Sequence, residues 1–187
     1  MPAADPAKQA TREKRAKGVA LKISNVNTPE QIKQVCAIMR TFVDWHRQRH
    51  IEDRRLIDQY FDAKAFEKEL ASLPGKYSPP RGRLLLASFD NQPAGCAALR
   101  EIDAQACEMK RMFVYPQFQG KGVGRALAEK LIHEARKIGY ASMLLDTSFR
   151  QVEAQGLYQS LGFKRIEPYY KLPKKLESWL VFMELKL

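Results

Sequence analysis

Residues 107–127 read CEMKRMFVYPQFQGKGVGRAL, and this stretch decides the fold. Residues 107–114 predict a β-strand, and a helix with one apolar face begins near Val123. Three of the chain's ten glycines fall within five residues between these two elements. Glycine permits tight turns without side chains in the way of a ligand, and a helix start offers unpaired N–H groups. Such a turn suits a pyrophosphate, and Lys121 and Arg125 add positive charge there.

Two well-known phosphate-binding patterns do not fit this turn. The Walker pattern G-x-x-x-x-G-K-[ST] is absent, which disfavours an ordinary P-loop nucleotidase. The dinucleotide pattern G-x-G-x-x-G fails because Arg125 stands at the third glycine position, although Gly120 and Gly122 are correctly spaced. On these residues alone, a glycine-rich turn that binds no ligand remains an alternative.

The rest of the chain predicts one central sheet flanked by helices. Residues 19–24 predict a first strand, and Thr28 and Gln31 have the spacing of a capping box for a helix that runs to about His50. A second helix follows, and then an antiparallel hairpin. The remaining strands and helices are predicted, in chain order, at residues 83–89, 94–102, 107–114, 123–138, 142–146, 152–161, 163–166 and 180–187. This order indicates a mixed α/β (α+β) domain over residues 19–187.

The composition is that of one globular domain. The chain has 187 residues, of which 45% are hydrophobic and 28% charged. No apolar run is long enough for a transmembrane helix, and residues 1–18 lack the apolar core of a secretory signal. We therefore expect a cytoplasmic protein that does not bind membranes. Three scattered cysteines fit neither a disulfide framework nor a zinc site.

The formal net charge is +11, and five of the basic residues lie in residues 1–18. That stretch is polar and lacks periodicity, which predicts a flexible basic tail. A basic surface attracts polyanions such as nucleic acid or a phosphorylated cofactor, but it is equally consistent with a solvated surface. The chain carries neither the aromatic pattern of RNA-binding sheets nor a helix-turn-helix signature, so a nucleic-acid partner is not expected.

The glycine-rich turn resembles the acetyl-CoA signature of the GNAT superfamily of N-acetyltransferases, Q/R-x-x-G-x-G/A, which residues 119–124 match as QGKGVG. A second family pattern follows at residues 154–163, which read AQGLYQSLGF. The order of strands and helices over residues 19–187 also matches. The resemblance implies a mixed, mostly antiparallel central sheet, splayed between its fourth and fifth strands and flanked by helices, with acetyl-CoA bound in the gap.

The resemblance also implies which residues contact this cosubstrate. The pyrophosphate would lie on the N–H groups of residues 119–125, and the pantetheine arm would pair with the backbone of residues 112–114. Gln151 stands where the family often has asparagine, which is a departure at one contact. The expected cofactor-binding residues are Met112, Phe113, Val114, Gln119, Gly120, Lys121, Gly122, Val123, Gly124, Arg125 and Gln151.

The implied reaction is direct attack of a primary amine on the thioester in a ternary complex. Tyr158 is the candidate acid for the leaving thiolate; the alternative is an aromatic residue that packs in the core. Glu108 is the candidate base, acting through a water. The alternative for Glu108 is a surface ion pair with Lys110, because strand alternation puts Glu108, Lys110 and Met112 on one face. The backbone N–H of Val114 is the candidate oxyanion donor.

Further side chains have weaker assignments. Tyr169 and Tyr170 are candidates for the lining of the acceptor pocket, or else surface aromatic residues in a loop. His46 and His50 have metal-ligand spacing, but their arginine neighbours favour a solvated helix face, and no metal is expected. The acceptor is expected to be an amine on a small molecule or a peptide, and family members commonly form homodimers. A non-catalytic acyl-CoA sensor and a basic protein that binds nucleic acid are the alternative functions.

Overall fold

A computed structural model describes residues 21–187 as a seven-stranded sheet with helices on both faces. The predicted basic tail, residues 1–18, and the start of the first predicted strand lie outside the described residues. The strands are β1 (Leu21–Asn25), β2 (Arg83–Phe89), β3 (Gln92–Glu101), β4 (Ala106–Val114), β5 (Ser142–Ser148), β6 (Lys164–Ile166) and β7 (Leu180–Lys186). Their order in the sheet is β1-β2-β3-β4-β5-β7-β6. Within residues 21–187 only β4 and β5 pair in parallel, which confirms a mixed, mostly antiparallel sheet.

The helices begin largely where local capping chemistry predicts. They are α1 (Pro29–Arg49), α2 (Arg54–Tyr60), α3 (Ala63–Ala71), α4 (Val123–Ile138), α5 (Val152–Ser160) and α6 (Lys174–Trp179). The capping box is confirmed: the Thr28 hydroxyl accepts from the Gln31 N–H at 3.2 Å, and the Gln31 side chain accepts from the Thr28 N–H at 3.2 Å. Among the helices of residues 21–187, none has both the length and the apolar character that a membrane crossing needs.

Two helix predictions need correction. The single second helix is two, because the Asp62 side chain accepts from the Ala65 N–H at 2.8 Å and starts a new helix, α3. Helix α6 was not predicted, since six residues carry too little periodicity to be seen in the sequence.

Two hydrophobic cores lie on opposite faces of the sheet. Strand β2 shows the division, because Leu85 packs in the core beneath α4 whereas Leu84 and Leu86 pack in the core beneath α1. The predicted apolar face of α4 is buried throughout, with Leu127 and Leu131 at 0% exposure. A fully buried leucine contributes about 1.5–3 kcal/mol. These cores hold the sheet rigidly between its helices.

Strands β4 and β5 separate soon after they begin to pair. Their ladder covers only three residue pairs, of which the last joins Glu108 to Leu144. Strand β4 then continues to Val114 and β5 to Ser148 without further pairing between them. The gap between these strand ends is the splay that the sequence resemblance implied, and it is confirmed. It leaves one backbone edge of β4 without a neighbouring strand.

A β-bulge in β4 changes the predicted side-chain alternation. The register with β3 shifts between Cys96 and Ala98, and Arg111 has a φ of 55°, which is the left-handed region. Before the bulge, Met109 packs in the core beneath α4; after it, Phe113 packs in the core beneath α1. The expectation that Glu108, Lys110 and Met112 share one face is therefore wrong, since Met112 packs with the α4 core.

Candidate active site

A groove opens where β4 and β5 splay apart. It is walled by the end of β4, the glycine-rich turn, the start of α5 and the aromatic rings of Phe42 and Trp45 on α1. Ten of the residues predicted to bind the cofactor line it: Met112, Phe113, Val114, Gln119, Gly120, Gly122, Val123, Gly124, Arg125 and Gln151. The exception is Lys121, whose ammonium lies over the rings of Phe89 and Phe118 at 5.1 and 5.5 Å and so lies outside the groove wall.

The turn has the backbone geometry that glycine allows. Gly120 and Gly122 have φ values of 73° and 80°, and a Cβ built on either would meet no atom within 4 Å. Gly122 is the N-cap of α4, and the first intrahelical bond of that helix is made by the Ala126 N–H. Within residues 21–187 the N–H groups of residues 123–125 have no hydrogen-bond partner. The turn therefore presents unpaired donors at the positive end of a 16-residue helix.

Two polar side chains fix this turn rather than extend into the groove. The Gln119 amide donates to the Val114 carbonyl at 3.0 Å and ties the turn to the end of β4. The Arg125 guanidinium donates to the Ser160 hydroxyl at 2.6 Å and lies 3.3 Å from the Glu129 carboxylate. Because Arg125 is about half exposed, its charge is still available at the groove mouth.

A second, more enclosed cavity adjoins the groove. The two spaces share four wall residues, Phe42, Met112, Gln151 and Ala154. Tyr158 lies in the wall of this second cavity and is buried, and its hydroxyl makes no hydrogen bond within the described residues. Burial and the charge of Asp146 raise the pKa of Tyr158, so the phenol stays protonated at physiological pH.

Asp146 and Lys110 place a buried ion pair in the same wall. Their charged atoms lie 2.8 Å apart, and the Lys110 ammonium also donates to the Tyr60 hydroxyl at 2.9 Å. The Tyr60 hydroxyl in turn donates to Asp146 in a short hydrogen bond. Burial alone would raise the pKa of Asp146, but the Lys110 charge and the hydrogen bonds lower it. The carboxylate is therefore ionised and fully occupied by donors.

Glu108 lies behind this pair and not in the cavity wall. It has no exposed surface, and its carboxylate accepts from Arg100 Nε at 2.5 Å and from the Tyr169 hydroxyl at 2.6 Å. Lys110 lies 3.3 Å from it. The alternative interpretation of Glu108, an ion pair with Lys110, matches this contact, although the pair is buried rather than at the surface.

Tyr169 and Tyr170 also lie behind the cavity wall. The Tyr170 hydroxyl donates to Asp146 at 3.1 Å, and the Tyr169 hydroxyl contacts both Asp146, at 3.4 Å, and Glu108. Neither tyrosine contributes to the cavity wall in this structure. Their hydroxyls instead complete the hydrogen bonding of the two buried carboxylates.

The expectation of a solvated face for His46 and His50 is wrong. They are only 4% and 7% exposed, and His46 lies in the wall of the second cavity. The Nε2 atom of His50 lies 3.1 Å from the side-chain amide of Gln151. No group of metal-ligating side chains occurs within residues 21–187. The pair of histidines therefore belongs to the cavity and its rim.

Sequence reasoning found the groove and missed much of the second cavity. Asp146 gave a signal, because it is a charged residue in a short, otherwise apolar strand. Arg111 gave no such signal, since the bulge decides to which face of the sheet its side chain points. His46 continues the apolar stripe of α1 and could have been found from that spacing.

Comparison with known proteins places these features in a family. The model of the Acetyltransferase (GNAT) family matches residues 37–163, which is more than half of the chain. An uncharacterized N-acetyltransferase of Schizosaccharomyces pombe is 41% identical over 109 residues, 57% of this chain and 67% of that protein. The N-acetylaspartate synthetase of Danio rerio is 32% identical over 120 residues, 63% of this chain and 42% of that protein.

A solved structure has the same fold. The PaiA N-acetyltransferase of Thermoplasma acidophilum, in complex with coenzyme A, superposes with a TM-score of 0.67 at 18% identity, covering 90% of this chain and 99% of that chain. At this identity the similarity establishes the fold alone.

Proposed function

The chain belongs to the GNAT family of acetyltransferases, and from that premise we propose that it moves an acetyl group from acetyl-CoA to a primary amine by direct attack in a ternary complex. The observation that carries the proposal is the junction of the groove with the second cavity at Phe42, Met112, Gln151 and Ala154. A thioester in the groove and an amine in the cavity would meet there without crossing solvent. We call the second cavity the acceptor cavity from here on.

The groove suits a CoA thioester in two ways. The unpaired N–H groups of residues 123–125 suit the pyrophosphate, and the absence of any atom near a Cβ of Gly120 or Gly122 leaves it room. The unpaired edge of β4 suits the amides of the pantetheine arm, which would add to it as a short strand. The coenzyme A named with the Thermoplasma structure supports the same choice of ligand.

The chemistry needs a nucleophilic amine, a polarised carbonyl and a protonated leaving group. The amine nitrogen bonds to the acetyl carbon, the carbon–sulfur bond breaks, and the amine loses one proton. We propose that the Val114 N–H stabilises the oxyanion and that Tyr158 protonates the departing thiolate. The position of Tyr158 in the cavity wall supports that role. Tyr158 recovers its proton from solvent when the products leave.

Glu108 remains our proposed base, with a longer proton path than expected. Because it lies behind the cavity wall with no exposed surface, the proton would be relayed: the amine gives it to a water in the cavity, and Lys110 takes a proton from that water and passes one to Glu108, which lies 3.3 Å away. A carboxylate is a weak base for an ammonium, whose pKa is near 10. The cavity must therefore favour the neutral amine.

Release of free thiol from acetyl-CoA, screened over amines, amino acids and peptides, tests this function. We expect release with at least one class of amine. We also expect Tyr158→Phe to lower kcat by about a hundredfold or more, as loss of an acid catalyst does, with acetyl-CoA affinity unchanged. Binding of acetyl-CoA without thiol release from any amine would contradict the proposal and favour an acyl-CoA sensor. Full turnover by Tyr158→Phe would transfer the acid role to another group.

A further inference from the structure

Arg111 brings unused hydrogen-bond donors to the acceptor cavity. Its Nε and one terminal nitrogen bind the Glu69 carboxylate at 2.8 and 3.0 Å, and the other terminal nitrogen has no partner within residues 21–187. The side chain lines the cavity and is 12% exposed. The bulge directs it to this face of the sheet at the cost of a left-handed backbone. A costly conformation that presents spare N–H groups to a cavity calls for a functional explanation.

His46 brings a second unused group to the same wall. Its Nδ1 atom is buried and has no hydrogen-bond partner within the described residues, and Nε2 has none either. Burial, with the nearby His50 and Arg49 charges, lowers the pKa of His46 to about 4, so the ring is neutral at physiological pH. An unpaired lone pair in the interior is more readily tolerated than an unpaired N–H, so we assign the proton to Nε2. The ring then offers a donor to the cavity.

The two groups flank one aromatic ring. The centre of the His46 imidazole lies 6.1 Å from that of the Phe61 ring, and the Arg111 guanidinium carbon lies 5.3 Å from it. By contrast, the Lys110 ammonium has its contacts taken by Tyr60, Asp146 and Glu108. The unpartnered donors of Arg111 and His46 thus both belong to groups that lie against Phe61, and neither group takes part in the Lys110–Asp146 ion pair.

We propose that the amine acceptor carries a carboxylate, and that Arg111 and His46 bind this carboxylate beside Phe61. The inference rests on the proposed acetyl transfer and names the class of its acceptor. An arginine fork that already holds Glu69 has N–H groups left for a second carboxylate. The neutral His46 donor adds a hydrogen bond without adding charge. Bound in this way, the carboxylate fixes the acceptor at one end.

Matched acceptors test the proposal. L-alanine, L-leucine and L-phenylalanine are each compared with their α-amide and their decarboxylated amine in the thiol-release assay. We expect kcat/KM for at least one acid to exceed both partners by about tenfold or more, since a hydrogen-bonded charge is worth about that much. At a given pH a larger fraction of the amide than of the acid has a neutral, reactive amine. Chemical reactivity alone would therefore favour the amide, so a preference for the acid is evidence for a carboxylate site.

Variants then assign the preference to the residues. His46→Phe keeps the ring and removes both nitrogens, and Arg111→Lys keeps the charge beside Glu69 and removes the fork. Each is expected to raise KM for the acid about tenfold while leaving KM for the decarboxylated amine unchanged. The matched control is His133→Phe, at an exposed position on α4. A merely structural role would change both acceptors equally and lower the melting temperature.

The two proposals fail in different ways. Equal kcat/KM for acids, amides and decarboxylated amines would overturn the carboxylate site and leave acetyl transfer intact. An acid preference that survives in both His46→Phe and Arg111→Lys would also overturn the assignment of these residues. Absence of thiol release with all of these amines and with the wider screen would contradict the proposed function, and the acceptor class with it.

Discussion

The buried carboxylate of Glu108 contacts three side chains, those of Arg100, Lys110 and Tyr169. Replacing Glu108 tests whether it removes a proton or only holds these neighbours in place. Glu108→Gln keeps the shape but removes the charge that Arg100 and Lys110 share. If Glu108 removes the proton, turnover falls most at low pH, where neutral amine is scarce. The pH profile of kcat/KM for wild type and variant measures this. A loss that is the same at every pH would mean that Glu108 only holds Arg100 and Lys110 in place.

We expect the free energy of unfolding to depend on pH through the protonation of His46. Its pKa is about 4 in the folded protein against 6.5 when unfolded, so only the unfolded chain binds the proton between these values. The free energy of unfolding therefore falls as the pH drops from about 6.5 to about 4, by up to about 3 kcal/mol.

Urea unfolding of wild type and His46→Phe at pH 7 and pH 4 measures how much stability the protein loses through His46. The variant lacks the titrating ring, so we expect it to lose less stability over this interval. Arginine and lysine partners hold the pKa values of Glu69 and Glu134 at about 2, so the stability that they contribute begins to fall near pH 4.5, where the unfolded chain binds protons, but this loss is common to both proteins. Equal losses in the two proteins would contradict the assignment.

At single positions, the sequence predicted contacts that depend on local geometry. The turn of residues 119–125 was found because glycine spacing and a helix start define it without reference to the rest of the fold. The surroundings of Tyr169 and Glu108 could not be found in that way. Their hydroxyl and carboxylate are 61 residues apart in sequence, and the contact exists only once the sheet has formed.

Helix α1 supplies residues to the acceptor cavity, and its stability depends on the cap at its N-terminus. Helix α1 supplies Phe42 and His46 to the cavity from its last turns, and Thr28 caps its first turn. Thr28→Ala removes that cap and is expected to lower the free energy of unfolding by about 1 kcal/mol. The matched control is Thr41→Ala in the same helix, where the hydroxyl bonds only to the Ala37 carbonyl. Equal stability of the Thr28 variant and wild type would show that the cap contributes nothing.

Elements with a full apolar face were predictable, and short ones were not. Helix α4 was found because its buried residues recur over 16 residues between two glycines. Helix α6 has six residues and is held by tertiary contacts, among them a hydrogen bond from the Trp179 indole to Asp53 at 3.1 Å. A contact across 126 residues leaves no local pattern to detect.

For the whole molecule, the order of elements was predictable, because each strand and helix has its own periodicity and the family order joins them. The depth of the acceptor cavity was not, since its walls come from α1, α2, β4, β5, α5, α6 and β7, which meet only in three dimensions.

Binding of acetyl-CoA is expected to stabilise the entire fold. A ligand that binds only the folded state adds about 2.7 kcal/mol at a concentration 100 times its Kd. We therefore expect acetyl-CoA to raise the melting temperature by several degrees, measured by differential scanning fluorimetry. Gly124→Glu places a carboxylate at the turn and should abolish this shift, whereas Gly124→Ala should keep it, because a Cβ there makes only ordinary contacts of 3.6 and 3.7 Å. A shift that survives in Gly124→Glu would contradict the phosphate assignment.

The bulge at Arg111 also changes which side chains of β4 face each side of the sheet, those with odd or those with even residue numbers. Ahead of it, odd-numbered side chains such as Met109 serve the α4 core; beyond it, even-numbered ones such as Val114 do. One additional residue thus reverses, halfway along the strand, the face of the sheet to which alternate side chains point. Removing that residue would turn Phe113 and Val114 over together, so that Phe113 would face the core beneath α4 and Val114 the core beneath α1.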